Sequence, residues 1–483
     1  MNYTLKGHDY RHAVEEMLLH LLPADMPIYV EGLSGDGCVS TLETDANHAT
    51  ATACITQDGV PYSSTRAIAY RSAEVLERRR AESEAVRLSL YDAIVPTLPR
   101  PAVWGSLTGV RPAKLARTHM ERGMSTAEVA RELREHYGVS TERAALAVRA
   151  AAIAEDCKRS LGEKDVSLYV GIPFCPSRCA YCSFVSASVE RAAPLIPPYV
   201  DALCAEIEMT GRLLAQGGWN VVSLYIGGGT PTTLNAEQLV KLTQSLQNHV
   251  DLHALREYTV EAGRPDTITR EKLEAIRAGG GTRISINPQT MNDEVLRRIG
   301  RQHSANEVLA SYALAREIGF DCINMDTIAG LDGDTPASFA HTMDILTDLA
   351  PENITVHTLA IKRAADLSDK RANAAKRDDV AAMLDSASRR LTATGYAPYY
   401  LYRQKFTAGG FENVGWCKPG TESLYNVCMM EELQTIVSIG AGGVSKKVTG
   451  EGRITRLSNP KYPTEYLTAT DRIATARAKL LAL

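Results

Sequence analysis

From residue 167 onward, short apolar runs alternate with longer stretches whose apolar residues recur at helical spacing. The apolar runs predict strands over residues 168–172, 221–226, 258–262, 283–287, 322–328 and 354–359. The stretches between them predict helices over residues 199–216, 236–250, 270–278, 305–318 and 338–349. This alternation predicts a parallel sheet, which is either a curved partial barrel or an open doubly wound sheet. In both architectures, functional side chains gather at the carboxyl ends of the strands.

The pattern outside this region is different, and it divides the chain into four predicted parts. Residues 1–105 combine helices near 9–22 and over 71–88 with strand-like runs over 27–31 and 50–56. The segment that follows reads as helical, and Ser125 begins a capping-box sequence there. The four predicted parts are an α+β N-terminal domain (1–105), a helical linker region (106–165), the barrel (166–365) and a C-terminal module or extension (366–483).

Composition restricts the function. The chain has 483 residues and a net charge of −4, so electrostatics give no reason to expect binding to nucleic acid or to an anionic membrane. No apolar run is long enough to span a bilayer, and the N-terminus has no apolar signal core. We therefore expect a cytoplasmic enzyme. Composition does not indicate the oligomeric state.

Three cysteines carry the strongest chemical signal. Cys175, Cys179 and Cys182 have C-x3-C-x2-C spacing directly after the first predicted strand of the barrel. Three thiolates can hold three irons of a [4Fe–4S] cluster and leave the fourth iron open to bind a substrate molecule. A structural zinc site would need a fourth ligand nearby, but no His lies between His136 and His249. A disulfide would need an oxidising compartment, which nothing in the sequence indicates.

Further candidate residues follow the other predicted strands. Residues 227–232 form a Gly-rich loop, Gly-Gly-Gly-Thr-Pro-Thr, which is a plain turn or a cradle for a small charged group. Glu261, Gln289 and Asp326 are polar groups at strand ends, where burial is unfavourable without a partner. Arg301 is able to bind a carboxylate through two N–H groups. Taken singly, each of these four is as well explained by a structural hydrogen bond or by an exposed position.

Together these motifs resemble the oxygen-independent coproporphyrinogen III oxidase family of radical S-adenosylmethionine (SAM) enzymes, most closely its HemZ-type branch. The resemblance covers roughly residues 168–447, and the loop at 105–114 also looks HemZ-like. The motifs that carry it are Tyr-Val-Gly-Ile-Pro-Phe-Cys (169–175), Tyr-Ile-Gly-Gly-Gly-Thr-Pro-Thr (225–232), Glu-Tyr-Thr-Val-Glu-Ala-Gly-Arg-Pro-Asp (257–266), Arg-Ile-Ser-Ile-Asn-Pro-Gln-Thr (283–290), Asn-Ile-Thr-Val-His-Thr-Leu-Ala-Ile-Lys-Arg (353–363) and the block 399–420.

The resemblance implies a partial (β/α)6 barrel and a set of site residues. It implies that Cys175, Cys179 and Cys182 bind a [4Fe–4S] cluster. It also implies SAM contacts, with Asp326 on the ribose; the full set is Tyr169, Gly229, Thr230, Glu261, Gln289, Arg301 and Asp326. The reaction of the family is anaerobic oxidative decarboxylation of coproporphyrinogen III propionates to vinyl groups in haem biosynthesis, started by a 5′-deoxyadenosyl radical. A tetrapyrrole substrate and a flavodoxin- or ferredoxin-like electron donor are then the expected partners.

Two alternatives remain open. Radical-SAM-like haem chaperones share the cluster motif and also have Phe at the position of Phe184, but they carry a His where this chain has Tyr425. Another radical SAM enzyme acting on a tetrapyrrole is the second alternative. Because propionates are anionic, Arg363, Arg403 and Lys405 are candidates for contacting the substrate, although each one singly is better explained as a solvated surface charge.

Overall fold

The computed structural model describes residues 1–23, 25–109, 111–182, 186–360, 377–404, 410–449 and 453–482. Contacts divide the chain into two compact units. Among the described residues, the first unit consists of residues 1–148, 377, 403–404 and 410–411, and the second consists of residues 149–360, 378–402 and 412–482. The division into four parts at residues 105, 165 and 365 stays a prediction, because one compact unit can contain more than one domain.

The first unit is a mixed sheet with helices. Its elements are β1 (Asn2–Lys6), α1 (Arg11–Leu21), β2 (Ile28–Tyr29), β3 (Gly37–Thr44), β4 (His48–Gln57), β5 (Val60–Ala69), α2 (Val75–Ile94), α3 (Pro112–Glu121) and α4 (Thr126–Glu135). The described strands lie in the order β2-β1-β3-β4-β5, with β1 parallel to its neighbours and the last three antiparallel. These elements confirm the predicted α+β character of the N-terminal region.

The alternation of buried and partly exposed side chains along β4 explains how the sheet packs against helix α2. Ala49, Ala51, Ala53 and Ile55 are buried, while the residues between them are partly exposed. Helix α2 packs on β4 and β5, and alanines on the buried face allow its backbone to come close. The sequence therefore specifies which face of this sheet forms the core.

The second unit contains the predicted strand–helix alternation. Helix α5 (Thr141–Arg159) runs from the first unit into the second. The remaining elements are β6 (Asp165–Ile172), β7 (Phe174–Cys175), β8 (Ala187–Ser188), α6 (Val189–Ala192), α7 (Ile196–Gln216), β9 (Asn220–Gly228), α8 (Ala236–His249), β10 (Glu257–Gly263), α9 (Arg270–Ala278), β11 (Arg283–Ile286), α10 (Asp293–Arg298), α11 (Ala305–Ile318), β12 (Cys322–Ala329), α12 (Pro336–Leu349), β13 (Asn353–Thr358), α13 (Arg377–Ala393), β14 (Ala397–Arg403), β15 (Glu412–Cys417), α14 (Leu424–Glu431), β16 (Thr435–Ile439), β17 (Val444–Val448), β18 (Ile454–Ser458), α15 (Pro463–Leu467) and α16 (Thr470–Ala482).

Strand order decides between the two predicted sheet types. In the described sheet the parallel strands follow one another in chain order, β6-β9-β10-β11-β12-β13, without the reversal that defines a doubly wound sheet. The partial (β/α)6 barrel is thus confirmed. Strand β16 pairs in parallel with β6 on one side, and β15 pairs antiparallel with β13 on the other. The C-terminal extension therefore supplies the strands that flank the barrel.

A buried ion pair fixes the C-terminal segment beside β6. Arg477 on α16 and Glu206 on α7 are 0% and 2% exposed, with 2.7 Å between Arg477 Nη2 and Glu206 Oε1. The Glu206 carboxylate also accepts hydrogen bonds from the Gly440 N–H (2.9 Å), from Asn459 Nδ2 (3.0 Å) and from the Tyr466 hydroxyl (2.5 Å). Since Gly440 directly follows β16, this network holds the strand that borders β6.

No helix among the described residues is both long and apolar enough to cross a membrane.

Candidate active site

The three cysteines lie just beyond the carboxyl end of β6. Cys175 ends the short strand β7, and Cys179 and Cys182 follow it on residues 176–182; residues 175–182 are called the cysteine loop. Cys179 is 8% exposed, whereas Cys175 and Cys182 are partly exposed. The loop is fixed by hydrogen bonds from the Ala180 N–H to the Ile299 carbonyl (3.1 Å) and from the Cys182 N–H to the Cys179 carbonyl (3.0 Å). The loop thus holds the cysteines near the strand ends, where the barrel pattern predicts function.

Side chains from neighbouring elements donate hydrogen bonds to the sulfurs of Cys175 and Cys179. Thr230 Oγ1 lies 3.6 Å from Cys175 Sγ, and Arg264 Nη1 lies 3.9 Å from Cys179 Sγ. Hydrogen bonds to sulfur are characteristic of protein environments that hold iron–sulfur clusters. Among the described residues, no three His, Cys, Asp or Glu side chains converge on one metal ion. Three thiolates on one short segment fit a [4Fe–4S] cluster, in which each cysteine binds a separate iron.

The Gly-rich loop after β9 lies directly against the cysteine loop. The Gly229 N–H donates to the Ile172 carbonyl at 2.8 Å, and the Thr230 N–H donates to the Phe174 carbonyl at 2.7 Å. A Cβ atom at Gly229 would lie only 2.5 Å from the Phe174 carbonyl oxygen. Glycine is therefore required for this close approach, which argues against an ordinary surface turn.

Three tyrosine rings and one carboxylate from β6, β9, β10 and α14 pack together. Tyr169, Tyr225 and Tyr425 are stacked, with ring centroids 4.4 Å apart for Tyr225 and Tyr425 and 6.2 Å apart for the other two pairs. The Tyr225 hydroxyl donates to Glu261 Oε1 at 2.5 Å, and the Gly228 N–H donates to Oε2 at 3.3 Å. Burial raises the pKa of Glu261 to about 7 despite the Tyr225 hydrogen bond, so this carboxyl exchanges a proton near neutral pH.

Gln289 has the geometry of a residue held for a ligand. Its backbone has a φ of 67°, a left-handed conformation that is uncommon for a residue other than glycine. The Gln289 side chain is 5% exposed, and its Oε1 atom is buried without a hydrogen-bond partner among the described residues. A buried acceptor of this kind fits a hydroxyl or amino group of a bound ligand, because leaving it unpaired is unfavourable.

Arg301 lies against the cysteine loop. Its Nη2 and Nε atoms are 2.9 Å and 3.3 Å from the Tyr181 hydroxyl, and its Nη1 is 3.3 Å from the Asn287 carbonyl. The guanidinium is thus attached to the residue that precedes Cys182. A role in contacting SAM stays a prediction.

Asp326 belongs to a chain of polar side chains that sequence reasoning missed. His357 Nε2 lies 3.7 Å from Asp326 Oδ2, and the Tyr402 hydroxyl lies 3.4 Å from His357 Nδ1. Burial raises the pKa of Asp326, but the contact with His357 and the hydrogen bond from Asn324 outweigh this effect and lower the pKa below its usual value. The signal for His357 was present, since alternation along β13 puts residues 353, 355 and 357 on one face.

Of the residues predicted to contact the substrate, the structure describes Arg403. Arg403 is 5% exposed, and it donates hydrogen bonds to the backbone carbonyls of Gly410 (2.8 Å) and Leu107. Its guanidinium lies 5.5 Å from the Trp104 ring centroid, so within the first unit it anchors the loop that begins at residue 105. Arg363, Lys405 and Phe184 lie outside the described residues.

The chain is similar to several known proteins. The family model of the radical SAM superfamily matches residues 169–346. The oxygen-independent coproporphyrinogen-III oxidase-like protein HemZ of Bacillus subtilis (strain 168) is 41% identical over 371 residues, which is 75% of this chain and 74% of that protein. The heme chaperone HemW of the same organism is 36% identical over 197 residues, 41% of this chain and 51% of that protein.

A solved structure of coproporphyrinogen III oxidase (HemN) from Escherichia coli, described as a radical SAM enzyme, has a TM-score of 0.49 and 26% identity, covering 67% of this chain and 73% of that one.

The barrel and the cysteine loop thus define a protein of the radical SAM superfamily, to which this chain belongs. Its cofactors are a [4Fe–4S] cluster and SAM. Within the superfamily, the match over about three quarters of both sequences shows that the chain belongs to the HemZ-type family of coproporphyrinogen III oxidase-like proteins.

Proposed function

We propose that this protein is an oxygen-independent coproporphyrinogen dehydrogenase, which converts propionates of coproporphyrinogen III to vinyl groups and yields protoporphyrinogen IX. The name of the HemZ relative supports this reaction class. The observation that carries the choice over a haem carrier is the position of Tyr425. It is 4% exposed and stacked 4.4 Å from Tyr225, in the place where the resemblance puts the chaperone's His. A side chain packed in this way is poorly placed to exchange haem with a partner protein.

The residues of the site would have the following roles. Cys175, Cys179 and Cys182 would hold the cluster, which with SAM supplies the radical that abstracts a propionate hydrogen. The Gly229–Thr230 turn, Glu261 and the unpaired Gln289 acceptor would bind SAM. The stacked tyrosines would exclude water from that side of the site, which protects a radical from side reactions.

Asp326, His357 and Tyr402 would complete the polar side of the pocket. Because His357 contacts the other two through its two ring nitrogens, it would orient the Asp326 carboxylate for the SAM ribose. A His357→Phe variant should therefore bind SAM more weakly in equilibrium dialysis. A variant with unchanged SAM affinity would remove His357 from this role.

A second candidate is haem transport, which the 36% identical region shared with HemW favours. It predicts stoichiometric haem binding and transfer to an acceptor protein without any change of the propionates. Another radical reaction on a tetrapyrrole, such as ring opening or methyl transfer, would instead consume SAM and give a different product.

One anaerobic experiment separates these functions. Reconstituted protein is incubated with SAM, a reductant and coproporphyrinogen III, and vinyl products, CO2 and 5′-deoxyadenosine are measured. The proposal expects all three, and the Cys179→Ser variant should give none of them. SAM cleavage without vinyl product or CO2 would exclude decarboxylation, and haem transfer in the same preparation would establish the carrier function.

A further inference from the structure

Arg264 is a buried cation beside the cysteine loop to which the resemblance assigns no role. The residue is 3% exposed and lies just after β10, where Gly263 has a φ of 64° and turns the chain. Its Nε and Nη2 atoms donate to the two oxygens of Asp266 at 3.0 Å and 2.7 Å. This bidentate pairing fixes the plane and direction of the guanidinium.

The remaining nitrogen of Arg264 points away from Asp266 and toward the cysteine loop. Nη1 donates to Ser177 Oγ at 2.8 Å, to the Ser177 carbonyl at 3.2 Å and to Cys179 Sγ at 3.9 Å. The same guanidinium thus presents an N–H group and a positive charge to one cluster ligand while its far side holds a carboxylate. The Arg264 guanidinium is shielded from water, so its charge acts at close range with little screening.

Charge at this position affects the oxidised and reduced cluster differently. Reduction adds one negative charge to the cluster and its thiolates, and both nearby positive charge and hydrogen bonds to sulfur stabilise that charge. Arg264 stabilises the reduced form, whereas Asp266 opposes part of this effect. We propose that the Arg264–Asp266 pair sets the reduction potential of the [4Fe–4S] cluster, with Arg264 as a positioning residue that acts through Cys179. This inference rests on the cofactor and not on the proposed substrate.

A purely structural role for the pair gives a different expectation. If Arg264 only held the loop, removing either partner would disturb the cysteines in the same way. A tuning role instead predicts shifts of opposite sign, because Arg264→Gln removes the positive charge and Asp266→Asn removes the negative one. The sign of the shift is therefore the discriminating observation.

The test is a redox titration of the reconstituted full-length protein, followed by electron paramagnetic resonance of the reduced cluster. At the potential where half of the wild-type cluster is reduced, the ratio of reduced to oxidised cluster should fall about tenfold in Arg264→Gln, which corresponds to 59 mV for a one-electron couple. The ratio should rise in Asp266→Asn and change least in Arg264→Lys, which keeps the charge. Iron and sulfide content is measured in every sample.

A matched control is Arg277→Gln on α9, because Arg277 also pairs with an aspartate, Asp321, at 3.3 Å. Arg277 donates to the Gly281 carbonyl and lies near the amino ends of the strands, away from the cysteines. The midpoint potential of the cluster in this variant should equal that of the wild type. If Arg264→Gln retains no cluster, the rise in Asp266→Asn alone decides. Unchanged midpoints in both variants, or shifts in the same direction, would overturn the proposal even if the cluster content fell.

Discussion

Lowering the pH should weaken SAM binding, because Glu261 takes up a proton near neutral pH. SAM carries positive sulfonium and ammonium groups, which the ionised carboxylate attracts and the protonated carboxyl does not. Burial raises the pKa of Glu261 to about 7 in the protein without ligands. Since the cationic ligand favours the ionised form, binding should release a proton, and affinity should rise with pH.

The magnitude follows from the ionised fraction. With a pKa of about 7, roughly one tenth of Glu261 is ionised at pH 6 and roughly nine tenths at pH 8. Apparent affinity scales with the fraction of protein in the binding-competent form. The dissociation constant for SAM should therefore be about tenfold larger at pH 6 than at pH 8.

Equilibrium dialysis of SAM against the reconstituted protein at pH 6, 7 and 8 measures this directly. Glu261→Gln should bind SAM more weakly at pH 8 and lose the dependence on pH. Glu274→Gln, on the exposed face of α9, is the matched control and should behave like the wild type. Two results would refute the assignment of Glu261 to SAM binding. One is an equal dissociation constant of the wild type at pH 6 and 8, and the other is a pH dependence of SAM affinity in Glu261→Gln that equals that of the wild type.

Three further outcomes are expected. Cys179→Ser should lose the iron–sulfur absorbance and SAM cleavage together, and persistence of both would contradict the cluster assignment. Gly229→Ala should displace the Gly-rich loop, because the new Cβ would lie 2.5 Å from the Phe174 carbonyl oxygen. The affinity for SAM, measured by dialysis, should therefore fall, and an unchanged affinity would contradict a role of this loop in binding SAM. Arg477→Met should lower the free energy of unfolding, measured in urea, by about 3–5 kcal/mol, because the buried Glu206 carboxylate loses its cation. Adding Glu206→Gln should restore part of the lost stability. A loss below about 1 kcal/mol in Arg477→Met would contradict this expectation.

The barrel was predictable because its signals are local. Apolar runs and amphipathic stretches occur at their own positions in the sequence, and the predicted helices over 270–278 and 305–318 coincide with α9 and α11. Ser304 and Glu307 form a capping box that marks where α11 begins. Strand order, in contrast, depends on which strands pair, and no local pattern encodes it; the family resemblance supplied that information.

The polar network around the site was only partly predictable. Spacing identified the three cysteines, because a cluster needs thiolates in one short loop. Arg264, His357 and Tyr402 act through neighbours that are distant in the sequence, such as Cys179 for Arg264, 85 residues away. Their functional contacts arise from tertiary structure, and sequence alone gives a buried arginine no visible partner.

The pairing of β16 with β6 has a consequence for synthesis of the protein. Domains form from the N-terminus as a chain leaves the ribosome. The strand that leads into the cysteine loop gains its second neighbour only when residues 435–439 have been made. Until then one side of β6 exposes unpaired backbone groups, which are a template for wrong pairing. Nascent chains that stop before β16 should therefore aggregate more readily than chains that include it.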